Sequence, residues 1–362
     1  MEKNKNDGRK KIFTAIFFWV VNVVVLTVLI LLEDKSGNIA DGKEVLSLLK
    51  ANYPFAILAL SMYFVILAGD VAVFYGLLKR MKKPRPLKTA LPVSVLGRYY
   101  DRITPWSMGG EPFQMGYLIH RGVGAGDGCA VTMSRHVIRF SVTAVAVITI
   151  LVASRIATTV WVMVAAILSV LGGLVVPTFM VICALRPKLG FAIGRAILRF
   201  GHKIRLVKDY EKAEKKMLGE VDKFLTGIRF LSGNKGMILL IGLCGLTEMF
   251  AYNSVPFFVL RALGLSELSY WRVFVLCIFV NYASSFAPTP GGSGLAELSF
   301  YAIFASFVGG GQLFWAVLFW RIAVFYIPVF IGFVMQTTIS VKNLVSGLKE
   351  RRSPSSSIGK ND

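Results

Sequence analysis

The sequence predicts an all-α polytopic membrane protein: six spanning helices plus two inverted re-entrant helical hairpins. Three observations carry that prediction. Of 362 residues, 55% are hydrophobic, the mean hydropathy is +0.63, and several apolar runs reach the ~20 residues needed to cross a ~30 Å hydrocarbon core. Four Lys/Arg-rich segments alternate with poorer ones. Two stretches within apolar surroundings carry charges beside Pro and Gly-Gly breaks. Lys plus Arg number 41 against 20 Asp plus Glu, a net charge of +21. In a soluble chain such an excess points to nucleic acid. Between membrane spans it sets topology and meets anionic lipid.

The spans read in order are 12–32, 54–78, 137–153, 158–185, 237–260 and 312–339. The first follows a positively charged start but is too long for a signal peptide and ends without a small-residue cleavage site. Residues 33–53 form a polar loop with room for a short helix. Residues 89–120 hold the first break, Thr104-Pro105 followed by Gly109-Gly110. Its first arm, 91–104, would reach only about 21 Å as a helix, so the segment enters and leaves on one side. Residues 186–235 show apolar positions at helical spacing with lysines opposite, the pattern of an amphipathic linker lying in the cytoplasmic interface. A second short arm, 271–286, runs into APTPGGSG and returns through 295–307. One membrane domain is thus expected over 1–340, with a basic, disordered tail at 341–362.

Charge checks the topology. The N-terminal segment, 79–88, 186–235 and the tail are rich in Lys/Arg and belong in the cytoplasm, whereas 33–53, 154–157 and 261–270 belong outside. On this count both termini are cytoplasmic. The two hairpins enter from opposite faces and meet near the midplane, an arrangement used by transporters.

Broken backbone at membrane depth is tolerated only inside protein or beside a water-filled cavity. Both breaks are therefore expected to line one polar site. Arg98, Asp101 and Arg102 stand three and four apart, so the arginines share a helix face and Asp101 can pair with one of them. The other arginine is left for an anion, and a phosphate head group suits guanidinium. The alternative is a structural cluster that neutralises itself; the scarcity of intramembrane charge favours function. Gly109, Gly110, Gly291 and Gly292, flanked by Thr104, Pro288 and Pro290, either bare N–H groups to an anion or make turns that need positive φ. Glu111 and Glu297 follow the breaks, either as acids favoured by a helix N-terminus or as counter-ions for a cationic head group. Asp70, Glu248 and Arg321 stand alone in long spans and could form one charge network.

Cys129, Cys183, Cys244 and Cys277 have no metal-ligand spacing and read as small core residues, not a disulfide framework. His120, His136 and His202 sit at loop edges. No HExxH, CxxC, GxSxG or Walker pattern occurs, so neither a catalytic set, a metal site nor a cofactor is expected.

Three stretches together, GRYYDRITPWSMGGEPFQMGYLIHRGV, NYASSFAPTPGGSGLAELSF and FWRIAVFYIPVFIGF, resemble the membrane region of lysylphosphatidylglycerol synthases, a region that also occurs alone as the flippase-like UPF0104 family. The resemblance implies a domain of the bacterial inner membrane that moves a lipid between leaflets. In full-length synthases that lipid is lysyl-phosphatidylglycerol, and the outcome is resistance to cationic antimicrobial peptides. Lysyl transfer from Lys-tRNA belongs to a soluble domain that follows the membrane region. Here about twenty residues follow the last span, and that domain is expected to be absent. The expected partners are phospholipids, with phosphate held by Arg98, Arg102 and the glycine turns. The competing expectations are a phosphatidylglycerol lysyltransferase, which alone would bring tRNA as a nucleic-acid partner, and an accessory subunit of a separate synthase docked through 186–235.

Overall fold

The computed structural model describes residues 40–154, scattered positions between 171 and 225, and residues 233–352 apart from 286. The spans expected at 12–32 and 158–185, the linker at 186–235, and Cys183, His202 and the last ten residues lie wholly or mostly outside these.

Among the described residues all regular structure is helical. A short helix α1 (Gly42–Ala51) sits in the first polar loop, its N-terminus capped by the Asp41 carboxylate, which accepts from Lys43 N–H. Helix α2 (Tyr53–Arg80) is apolar around Asp70 and ends on Lys79 and Arg80, cations that suit a helix C-terminus. Helices α3 (Pro86–Ile103) and α4 (Gly110–His120) are the arms of the first break. Then come α5 (Ala125–Ser154) and α6 (Lys235–Ala262). Helices α7 (Tyr270–Ser284) and α8 (Leu295–Phe304) flank the second break. Helix α9 (Gly310–Arg321), a π-helical turn (Ile322–Tyr326) and α10 (Ile327–Arg352) close the chain.

Four stretches are long and apolar enough to cross a membrane: Tyr53–Arg80, Ala125–Ser154, Lys235–Ala262 and Gly311–Val341. They correspond to the spans expected at 54–78, 137–153, 237–260 and 312–339. The second begins twelve residues before its expected start. Arg135 and His136 make that end look like a loop, but they are matched by Asp70, Gln114 and Glu111 on neighbouring helices, so the helix continues through them. The tail likewise starts later than expected. The backbone is helical through Arg352, and the first helix breaker beyond it is Pro354.

Helix α2 packs antiparallel along α6, with Gly76 against Met237 and Leu240 and Gly69 against Cys244. Small residues at such seams let helix backbones approach, the usual device where lipid removes any hydrophobic drive between helices. This pairing puts the Arg80 end of α2 beside the start of α6. Lys83 reaches Asp127 at 3.9 Å, which brings the start of α5 to the same face. At the opposite face Leu48 abuts Gly264, and Trp315 Nε1 donates to Ala40 O at 3.1 Å. Of the segments separated by the charge rule, residues 79–88 therefore lie at one end of the bundle and residues 40–53 and 261–270 at the other.

Two apolar clusters flank the middle. One joins α2, α3, α4 and α6 through Phe74, Leu77, Leu96, Leu118 and Ile241. The other joins α6 to α10 around a stack of aromatic rings, with Phe300 4.5 Å from Phe304 and 4.8 Å from Trp320 between centroids. Large apolar side chains also point outward, among them Val145, Val152 and Phe330, as a lipid-facing surface requires.

Candidate functional site

The two helix breaks touch. Pro105 and Pro290 form an antiparallel backbone bridge. Each break is the tip of a helix pair, and the pairs come from opposite ends of the bundle. Helix α3 starts and α4 ends at the Lys83 face. Helix α7 starts and α8 ends at the other face, where Arg272 lies 4.5 Å from the Phe307 ring.

The breaks look alike in sequence but are built differently. At the second, Gly291, Gly292 and Gly294 have φ of 58°, 70° and 97°, values only glycine adopts freely. Gly291 also lies against the Phe325 ring. At the first, the left-handed residues are Trp106 and Ser107, with φ of 52° and 53°, a conformation that costs a non-glycine residue about 1–3 kcal/mol. Gly109 and Gly110 are small for another reason: a Cβ on either would strike Thr104 or Asp101. Nor are their N–H groups bare, as the anion reading would have them. Gly109 N–H donates to Thr104 Oγ1 at 2.9 Å and Gly110 N–H to Asp101 Oδ1 at 2.7 Å. Asp101 is thus turned to its own loop and pairs with neither nearby arginine. Pro288 is exposed and Pro290 buried against the first break.

Behind the first break lies a charge network built from α2 to α6. Asp70 receives Arg98 on one oxygen and Arg135 on the other, each at 2.6 Å; the Arg98 contact is an ion pair without hydrogen-bond alignment. Glu248 receives Arg98 at 3.0 Å and Arg139 at 2.8 Å. Glu111 meets His136 Nδ1 at 3.0 Å and Arg139 at 3.9 Å. Gln114 accepts from Arg135 at 3.0 Å. Three guanidiniums face three carboxylates, so the network closes on itself. Asp70 and Glu248 do meet, through Arg98. Arg321 does not join them: it pairs with Glu297 at 2.7 Å, and that carboxylate also accepts from Gly294 N–H at the start of α8. Sequence reasoning missed Arg135, His136, Arg139 and Gln114. The signal was present, since Arg135 and Arg139 stand four apart at the head of a long apolar run.

Arg102 differs from its neighbours. Among the described residues no carboxylate reaches it, and it lies over the Tyr252 ring at 5.5 Å. It lines a hollow of about 190 Å³ between the breaks, together with Trp106, Gly291, Gly292, Trp320 and Arg321. That is far more than the ~10–15 Å³ a single water needs. A second hollow of about 260 Å³, between α5, α6 and α7, is lined by Arg139, Glu248 and Asn253. Tyr252 and Asn281 belong to the walls of both. Of the residues expected to hold a head group, Arg102, Gly291 and Gly292 line the first hollow. Asp101, Thr104, Gly109, Gly110 and Glu297 brace its surroundings, and Arg98 and Glu111 serve the network.

Spanning-length helices around a polar, charge-bearing centre define a polytopic membrane protein. The chain belongs to the family described as the lysylphosphatidylglycerol synthase TM region, whose model matches residues 19–332. It is also similar to a UPF0104 membrane protein of Archaeoglobus fulgidus, 25% identical over 249 residues, which make up 67% of this chain and 74% of the relative. The family is the one that the three motifs resemble.

Proposed function

We propose that the protein moves an anionic or aminoacylated phospholipid between the leaflets of the bacterial inner membrane. The head group passes through the hollow between the breaks while the acyl chains stay in lipid. The observation that supports this most is the contact of two helix breaks, reached from opposite ends of the bundle, around a hollow that carries Arg102 and Arg321. Helices that stop midway and meet there suit alternating exposure of one site. In this reading 12–32 and 158–185 complete six spans, both helix pairs are re-entrant, and the basic ends face the cytoplasm. The link to cationic-peptide resistance follows if the lipid moved is lysyl-phosphatidylglycerol.

The test is a leaflet-resolved assay in proteoliposomes with acyl-labelled lipids. The expected result is protein-dependent acceleration for at least one anionic or aminoacylated phospholipid. Equal rates with and without protein for all of them would refute the proposal.

A further inference from the structure

Which head group the interior accepts follows from how its charges are already spent. Among the described residues no carboxylate lines the hollow between the breaks. Glu248 lines the neighbouring hollow, but Arg98 holds its Oε1 at 3.0 Å and Arg139 its Oε2 at 2.8 Å. Among the described residues no free carboxylate is left there to receive an ammonium group. The positive side is the reverse. Arg321 is cancelled by Glu297 at 2.7 Å, whereas Arg102 has only an aromatic ring. Arg102 therefore faces the first hollow without an ion-pair partner among the described residues, the neighbouring Asp101 being turned to Gly110 N–H, and such a charge is costly at membrane depth unless an anion completes it. Arg321 Nε and Trp320 Nε1, on residues 3% and 0% exposed, have no acceptor either, but both atoms are sealed within the wall and do not open on the hollow. The rest of the polar lining is hydroxyl and amide, from Ser284, Asn281 and, across the shared wall, Asn253.

We infer that this hollow takes a phosphodiester head group with one negative charge and uncharged, hydroxyl-bearing substituents, and rejects one that carries an ammonium. The inference rests on the reading of the protein as a lipid mover and narrows its substrate class. Arg102 meets the phosphate oxygens, a pairing its planar fork favours. The hydroxyl groups of the head group reach toward Asn281. An aminoacylated head group would bring a charge that no free carboxylate can meet.

Binding is read separately from movement. Purified full-length protein is offered phosphatidylglycerol, phosphatidylethanolamine and lysyl-phosphatidylglycerol together, and retained lipid is measured by native mass spectrometry. The expected result is preferential retention of phosphatidylglycerol by about tenfold or more, the scale of one hydrogen bond to a charged group. Arg102→Ala should abolish the preference and Arg102→Lys should keep part of it, both remaining monodisperse. Soluble glycerol 3-phosphate, titrated without lipid, should bind far more weakly than the lipid. The inference is overturned if lysyl-phosphatidylglycerol or phosphatidylethanolamine is retained as well as phosphatidylglycerol, if the preference survives in monodisperse Arg102→Ala, or if only the soluble phosphate binds. Selective binding with no lipid movement in proteoliposomes supports the site and refutes transport. Equal movement of the lysylated lipid overturns the selectivity and leaves transport standing.

Discussion

Arg98 and Arg102 are one helical turn apart, yet the structure gives them different tasks. Arg98 bridges Asp70 and Glu248 from two other helices; Arg102 faces a hollow. Removing one partner of a buried ion pair leaves a charge unmatched, at a cost of about 3–5 kcal/mol. Arg98→Met should therefore lower the unfolding temperature of the purified protein markedly. Arg102→Ala should leave that temperature near the wild-type value and reduce lipid movement. Equal thermal losses in both variants would show that Arg102 also belongs to the scaffold. The two arginines cannot be told apart by spacing, because the carboxylates that separate them come from residues 28 positions before Arg98 and 150 after it. The glycine pairs teach the same point. Pro followed by Gly-Gly marks a turn in both halves, but only the second turn puts its glycines at positive φ, and only coordinates reveal that Gly110 makes room for Asp101.

At the scale of elements, helix ends and breaks were legible and helix neighbours were not. Clustered proline and glycine mark the breaks between α3 and α4 and between α7 and α8, whereas the single Pro92 and Pro256 lie inside helices. The sequence leaves the head of α5, residues 125–136, outside its span, because Arg135 and His136 look unaffordable there until their partners on α2 and α4 are known. The π-helical turn directly after Arg321 left no sequence signal, although such turns concentrate at functional sites. Close packing yields a sharper test. A Cβ on Gly332 of α10 would collide with Tyr99 Cβ on α3 and lie 2.7 Å from Tyr99 Cγ. Those atoms sit next to the backbone and cannot swing away. Gly332→Ala should destabilise the purified protein by about 1–3 kcal/mol. Gly116→Ala, where an added Cβ meets nothing within 4 Å, should not. Both are read by thermal unfolding in detergent, and an unchanged Gly332→Ala would mean that α3 and α10 are not in contact.

For the whole molecule the decisive relation is the meeting of two helix pairs from opposite ends of the bundle. Backbone-bridged residues in an antiparallel pair have Cβ atoms about 4.5–5.5 Å apart, near the reach of a disulfide. With the four native cysteines replaced by serine, Pro105→Cys combined with Pro290→Cys should cross-link under mild oxidation. Either substitution alone should give no cross-link within the chain. If transport requires the tips to part, the cross-link should also stop lipid movement, and reduction should restore it. Failure to cross-link would separate the two breaks and remove the hollow between them.

The sequence by itself determined the membrane class, the four spans among the described residues and the two breaks. Those features are local or compositional: a span needs its run of apolar residues, and a break needs its Pro and Gly. The tertiary structure alone decided which charges neutralise each other. Coulomb partners in this protein lie up to 150 positions apart, and strict burial makes every unmatched one expensive. That pairing consumes Asp70, Glu111, Glu248 and Glu297, and among the described residues it leaves Arg102 facing an open space without an ion-pair partner.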